Sequence, residues 1–286
     1  MLKELYIKTF KLTKYNIILV QPLLIFMLLF GFIINVIAGA SKTGPAIIII
    51  ILSLIGLFCA FLAGWLSMFH KCVQNSFDEN IKEKELTENS PTLFKEFTPG
   101  VGKHFIKVFI GLIIYAVLFY LVITFSSYLC EKFIGFPQSV SKSNITQAVF
   151  SESKALEVLN KLSRHDKILI IKWNLLTLFS TGIFSFLSMF WLPAIIAENK
   201  NPFAAYLSSL VKIIQKPFQT LTIFISYYIA SAVAIIINIL GANNFFFEFI
   251  GLILYVFVLV YFITMLFLYY EKYSKSNNTG RTDSVG

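Results

Sequence analysis

Apolar and polar positions alternate along this chain in long blocks, not at the two- or three-to-four-residue spacing of half-buried soluble elements. Six apolar runs cover residues 17–39, 46–69, 105–130, 173–197, 218–240 and 245–270. A helix needs about 20 apolar residues to cross a ~30 Å hydrocarbon core. Each run reaches that length, so each predicts a transmembrane helix. Trp173 and Trp191, near the two ends of the fourth run, are separated by ~27 Å of helix at 1.5 Å per residue. That spacing suits a core with an aromatic belt at each face. Ala38-Gly39-Ala40 resembles a signal-peptide cleavage site, but the apolar run before it is about twice the usual length for one. It is expected to remain as the first span.

The polar segments carry a finer pattern. In Glu198–Gln219, Asn201-Pro202 reads as a helix start, with Asn as the cap and Pro in the first turn, where its missing N–H costs nothing. At 100° per residue, Phe203, Tyr206, Leu207, Leu210, Val211, Ile213 and Ile214 share one face. Ser208, Ser209, Lys212, Gln215 and Lys216 share the other. Such a helix is expected to lie flat at a membrane surface, its polar face offered to lipid headgroups or a protein partner. A second amphipathic helix is expected in the 131–172 connector. There Ala155, Leu156, Val158, Leu159 and Leu162 oppose Glu157, Asn160, Lys161 and Arg164.

The chain also repeats itself. Trp65-Leu66-Ser67-Met68-Phe69, near the end of the second run, recurs as Phe186-Leu187-Ser188-Met189-Phe190 near the end of the fourth. Three basic, aromatic-bearing leaders precede spans, starting at Tyr6, Leu93 and Tyr206, with Lys14, Lys103 and Lys216 just before the apolar residues. The fold class expected is therefore all-α. It is a polytopic helical bundle of six transmembrane helices plus interfacial amphipathic helices, built as a threefold repeat of leader plus helical hairpin. Residues 1–270 form a single transmembrane domain, and 271–286 a disordered cytoplasmic tail.

Composition sharpens the class. The chain is 57% hydrophobic and 14% charged, against the ~25% charged residues of a soluble protein. The net charge of +9 would raise nucleic-acid binding in a soluble protein; here lysines flank spans, so lipid is the expected partner and nucleic acid is not. With six spans, the side holding both termini collects Lys3, Lys8, Lys11, Lys14, the second and fourth connectors and the tail, about twice the basic residues of the other side. By the positive-inside rule both termini are cytoplasmic. The 131–172 connector, with seven basic residues, opposes this assignment.

Candidate chemistry is sparse. Glu248 is the only acid near a span interior, and it sits close to a span end. Ion-coupled carriers normally place ionisable side chains along the path. Gln21, Asn35, Asn174, Thr177, Ser180, Ser226, Tyr227, Tyr228 and Asn238 are among the uncharged polar residues of the spans; they are expected to hydrogen-bond between helices, at about 1 kcal/mol each. His70, Cys72 and His104 cluster near span ends without metal-site spacing, and Cys59, Cys72 and Cys130 are too scattered for a metal motif. Gly100-Val101-Gly102-Lys103 lacks the length and the Ser/Thr of a P-loop. No catalytic residue, cofactor or metal ligand is therefore expected.

The leader from Asn201 follows a span ending Trp191-Leu192-Pro193-Ala194 and the acid Glu198, with Lys212 and Lys216 beyond. This pattern resembles that of six-span bacterial inner-membrane proteins, the YciC-like proteins and the glycerophosphodiester-phosphodiesterase membrane-domain-like group. The resemblance implies architecture and no assigned catalysis. The expected function is that of a non-enzymatic, multi-pass inner-membrane protein accessory to envelope or lipid homeostasis. The alternative is a transporter or permease component for a small or amphipathic solute.

Overall fold

The computed structural model describes residues 2–39, 44–77, 90–135, 162–241 and 244–282, and side chains in these ranges except at 36–39, 44–47, 245 and 273–282. Nine α-helices and two 3-10 segments are present among the described residues, and no strand. In chain order the helices are α1 (Leu2–Tyr15), α2 (Gln21–Gly39), α3 (Gly44–Asn75), α4 (Phe97–Phe133), α5 (Arg164–Ser188), α6 (Trp191–Ala197), α7 (Pro202–Gln215), α8 (Pro217–Leu240) and α9 (Phe245–Thr282). The 3-10 segments are Ile17–Val20 and Ser90–Glu96. Six helical stretches are long and apolar enough to cross a membrane: Ile17–Asn35, Ile48–Asn75, Ser90–Phe133, Arg164–Ala197, Pro217–Leu240 and Phe246–Lys272.

The helices overrun the apolar runs. Once a helix is nucleated, each further residue adds a hydrogen bond at little cost, so polar flanks continue it. Thus α3 reaches Asn75, α4 starts at Phe97, α5 starts at Arg164, and α9 draws residues 271–282 of the expected tail into helix. The expected helix in the 131–172 connector falls outside the described residues up to 161, as does the acidic segment 78–89.

Prolines set the interruptions. Met189 and Phe190 form a turn that divides the fourth span into α5 and α6. Pro193 lies four residues after Met189, and its ring displaces the carbonyl that a continuous helix would place there. Trp173 and Trp191 therefore do not share one uninterrupted helix. Pro22 accounts in the same way for the 3-10 segment before α2. Lys216, which precedes Pro217, is pushed out of the helical region to φ −143, ψ 65 and separates α7 from α8. These breaks leave α1 and α7 as discrete leaders of 14 residues each. The middle leader differs: Ser90–Glu96 is 3-10 and runs directly into α4, whose first turn tolerates Pro99.

Two compact units are distinguished: Met1–Leu112 with Ser188–Gly286, and Ile113–Leu187. In the larger unit the core surrounds the second half of α9. Met265, Phe267 and Tyr270 are fully enclosed, together with Met68, Phe69 and Val73 of α3, Ala194 and Ile195 of α6 and Thr9 of α1. Phe69 stacks on Phe267 at 6.4 Å, and Phe190 stacks on Tyr269 at 5.4 Å. Trp65 Nε1 donates to the Leu19 carbonyl at 2.7 Å, tying α3 to the break before α2. In the smaller unit Tyr115 and Phe119 pack on Phe184, with ring centroids 5.0 and 6.0 Å apart. Trp173 Nε1 closes the pair by donating to the Gly135 carbonyl at 2.9 Å.

The span hydroxyls and amides mostly turn back on their own helices. Asn35 donates to Gly31, Ser126 to Val122, Ser180 to Leu176 and Thr222 to Phe218, each one turn earlier. Ser226 both donates to Thr222 and bonds Tyr6 of α1. In an apolar solvent the nearest unspent acceptor lone pair is the preceding turn's carbonyl, and reaching it requires no partner helix.

Candidate functional site: a polar cluster at the leader end

The end of the bundle where α3 and α9 meet the leaders gathers most of the charge that the spans lack. α6 ends in a tight reversal. Glu198 N–H returns to the Ala194 carbonyl, and Asn199 takes the left-handed conformation (φ 50), which asparagine tolerates well. Asn201 then caps α7, its Oδ1 accepting from Ala204 N at 2.8 Å, as the Asn-Pro signal predicts. Trp191 Nε1 donates to the Pro202 carbonyl at 2.7 Å and locks the reversal.

This turn presents Glu198 to α9. Tyr270 Oη donates to Glu198 Oε1 at 2.6 Å, and Lys200 forms an ion pair with the same carboxylate. Lys200 Nζ also donates to Ser208 Oγ at 2.6 Å. Lys212 Nζ sits 4.3 Å from the Tyr270 ring centroid and donates to the Tyr270 carbonyl at 3.4 Å. Lys107 Nζ donates to the Asn199 carbonyl and side chain at 2.6 and 2.7 Å. Beside this group, His70 Nε2 lies 2.8 Å from Glu271 Oε1, linking α3 to α9, with the Gln74 amide 3.1 Å from the same nitrogen.

The electrostatics are those of a settled network. Burial alone would raise the Glu198 carboxyl, but hydrogen bonds from Lys200 and Tyr270 and the charges of Lys200 and Lys212 outweigh it and hold the group below the usual carboxylate range. Burial and the Lys200 charge lower Lys212, while Glu198 and Glu271 oppose them. Arranged this way, the cluster fastens α7 to α9 through charge-assisted bonds.

The five polar residues read from the sequence as one outward face of α7 divide. Ser209 is fully buried, and its Oγ accepts from Phe190 N at 3.3 Å. Ser208 and Lys212 point into the cluster. Gln215 and Lys216 are exposed. The exposed stripe of the helix is apolar: Phe203, Leu207, Val211 and Ile214. The periodicity was legible, but which face meets the protein was not. Tyr270 and Glu271 were missed as site residues because they sit where an apolar run ends, a place that reads as a span boundary.

His70, Cys72 and His104 do not converge as one site. His70 pairs with Glu271, Cys72 is buried, and the buried His104 Nδ1 has no hydrogen-bond partner among the described residues. No group of three metal-ligating side chains occurs among the described residues. No protein-family model matches the chain, and neither a curated protein nor a solved structure matches it.

Proposed function

We propose that this is a non-enzymatic, multi-pass protein of a bacterial inner membrane, with both termini cytoplasmic, accessory to envelope or lipid homeostasis. The observation that carries the reading is α7. Its polar side is fastened to α9, and its other side is an exposed apolar stripe, with Phe203 65% and Ile214 74% exposed. A helix so built rests in the interface with its stripe among acyl chains. Gln215 and Lys216 then stand at headgroup level, joined by the exposed Lys3, Lys11 and Lys14 of α1. A permease would need polar side chains facing a path at mid-membrane. The return of the described span hydroxyls to their own carbonyls favours the accessory reading over that one.

Lipid composition tests it. Protein extracted with its surrounding bilayer should be enriched in anionic lipid relative to the bulk membrane, and Lys14→Glu with Lys216→Glu should reduce the enrichment. Wild-type protein surrounded by lipid of bulk composition would refute the reading. Orientation needs introduced cysteines, since Cys72 and Cys130 are buried. An impermeant thiol reagent outside cells should label Lys132→Cys and spare Lys216→Cys. The reverse pattern would place the termini outside.

A further inference from the structure

α2 and α3 follow one another in the chain yet do not close on each other. They touch through Phe26, whose ring stacks on Phe61 at 4.2 Å and meets Phe58 at 6.0 Å. Beside this contact lies an open cleft of about 380 Å³. Its walls are Pro22, Ile25, Phe26 and Leu29 on α2 and Leu57, Ala60 and Phe61 on α3. Phe94, Phe97 and Thr98 form its floor, at the junction of the second 3-10 segment and α4. The floor is fixed from below: Leu93 is buried, and Phe97 packs so closely on Gly64 that a Cβ there would lie 2.9 Å from the ring.

The two ends of the cleft differ in chemistry. Both walls belong to stretches that read as membrane spans, so the open side faces acyl chains. At the floor, Lys95 and the Thr98 hydroxyl are exposed, and Lys14 is exposed on α1 just before the first 3-10 segment, which packs against the second. Glu96, the one acid of that segment, is partly buried. An apolar trough whose floor residues Phe94 and Phe97 flank an exposed lysine in sequence, Lys95, complements an anionic amphiphile, with its chain along α2 and α3 and its head at the floor. A second protein helix laid in the trough would match the walls but leave these lysines unanswered.

We propose that the α2–α3 cleft holds one acyl chain of an anionic phospholipid, with Lys95, assisted by Thr98 and Lys14, receiving the headgroup. The proposal rests on the lipid-associated reading above and gives it a discrete site separate from α7.

The test is native mass spectrometry of the full-length protein offered phosphatidylglycerol or phosphatidylcholine of identical chains. Wild type should retain one phosphatidylglycerol in preference to phosphatidylcholine. Ala60→Trp fills the trough and should cut retention about tenfold, the equivalent of two methylenes denied burial. Leu57→Ser, which adds polarity without bulk, should weaken retention of both lipids. Lys95→Glu should abolish the preference for the anionic lipid and spare binding of the neutral one. Unchanged retention in Ala60→Trp and Leu57→Ser would overturn the cleft. If the anionic preference survived in those variants yet fell in Lys216→Glu, the cleft would be wrong and the α7 reading would stand. Wild type with no anionic preference at all would sink both. A crosslink from a photoreactive side chain at position 60 to a second copy of the chain, rather than to phospholipid, would also overturn the proposal.

Discussion

α1 and α7 are the same length, and each precedes a span across a short break. Both expose large apolar side chains, Ile7 and Phe10 on α1 and Phe203, Leu207, Val211 and Ile214 on α7, yet they differ in the charges set beside them. α1 buries Leu5, Thr9, Leu12 and Thr13 and exposes Lys3, Lys11 and Lys14. It is joined to the last two helices by uncharged contacts: Tyr6 Oη lies 2.7 Å from Ser226 Oγ, Tyr261 Oη donates to the Tyr6 carbonyl at 3.3 Å, and Phe10 meets Phe257 edge-on. α7 buries Pro202, Ala205, Ser209 and Ile213, sends Lys212 inward and exposes apolar residues. Each leader lays one lysine on a ring and a carbonyl, Lys8 on Phe77 and Ser76 and Lys212 on Tyr270. Beside α7 the Glu198 carboxylate adds a charge to that contact. An amphipathic pattern thus fixes that a helix has two faces, and only the neighbours fix which one looks outward.

Charge reversal should separate the two leaders most sharply. Lys212→Glu places a carboxylate beside Glu198 and Glu271 against the Tyr270 ring. We expect it to destabilise the protein by about 2 kcal/mol, below the cost of breaking a fully buried pair because the site is partly solvated. Lys14→Glu, on the exposed face of α1, should stay within about 0.5 kcal/mol of wild type. Thermal unfolding in one detergent reads both; equal losses would erase the distinction. Tyr270→Phe comes next. It removes the donor to Glu198 while keeping the ring under Lys212, and about 1 kcal/mol is expected.

Much of this architecture could be read in advance, for definable reasons. Twenty consecutive apolar residues have no stable alternative in a bilayer to a helix, so the six spans were legible. The Asn201-Pro202 cap was legible because both residues act on their own backbone. The break at Met189-Phe190 had its cause in plain view at Pro193, but aromatic spacing argued for continuity. The cluster was largely hidden. It depends on residues such as Glu198 and Tyr270, or His70 and Glu271, that are distant in sequence and adjacent only after α9 packs between α3 and α7. Of the span polar residues expected to bond between helices, Asn35 and Ser180 turn to the nearer carbonyl of their own helix, while Ser226 uses such a carbonyl and also reaches Tyr6.

Acid should loosen α7 before α1. The Glu198 carboxyl is held below its ordinary value in the folded state. A carboxyl whose folded value is depressed binds fewer protons when folded, so its stabilisation is complete above the unfolded value and fades as pH falls through the folded one. Hydrogen exchange across α7 should therefore rise below about pH 4.5, while α1, whose described contacts to α8 and α9 are neutral, changes less. Glu198→Gln should flatten the α7 response. Parallel acid profiles in the two helices, with or without that substitution, would show that Glu198 is not what fastens α7.

The smallest expected difference is the most direct measure of how each helix uses a buried hydroxyl. Ser209 Oγ is enclosed and accepts from Phe190 N, at the turn that α7 helps to hold. Thr13 Oγ1 is equally enclosed and has no hydrogen-bond partner among the described residues. Ser209→Ala leaves a buried backbone N–H short of an acceptor and should cost about 1 kcal/mol. Thr13→Val keeps the shape and removes an unmatched polar atom, so it should be neutral or stabilising by up to about 1 kcal/mol. If Thr13→Val proved the costlier of the two, α1 would hold a polar contact as specific as any in α7. The contrast between the two leaders would then have to be redrawn.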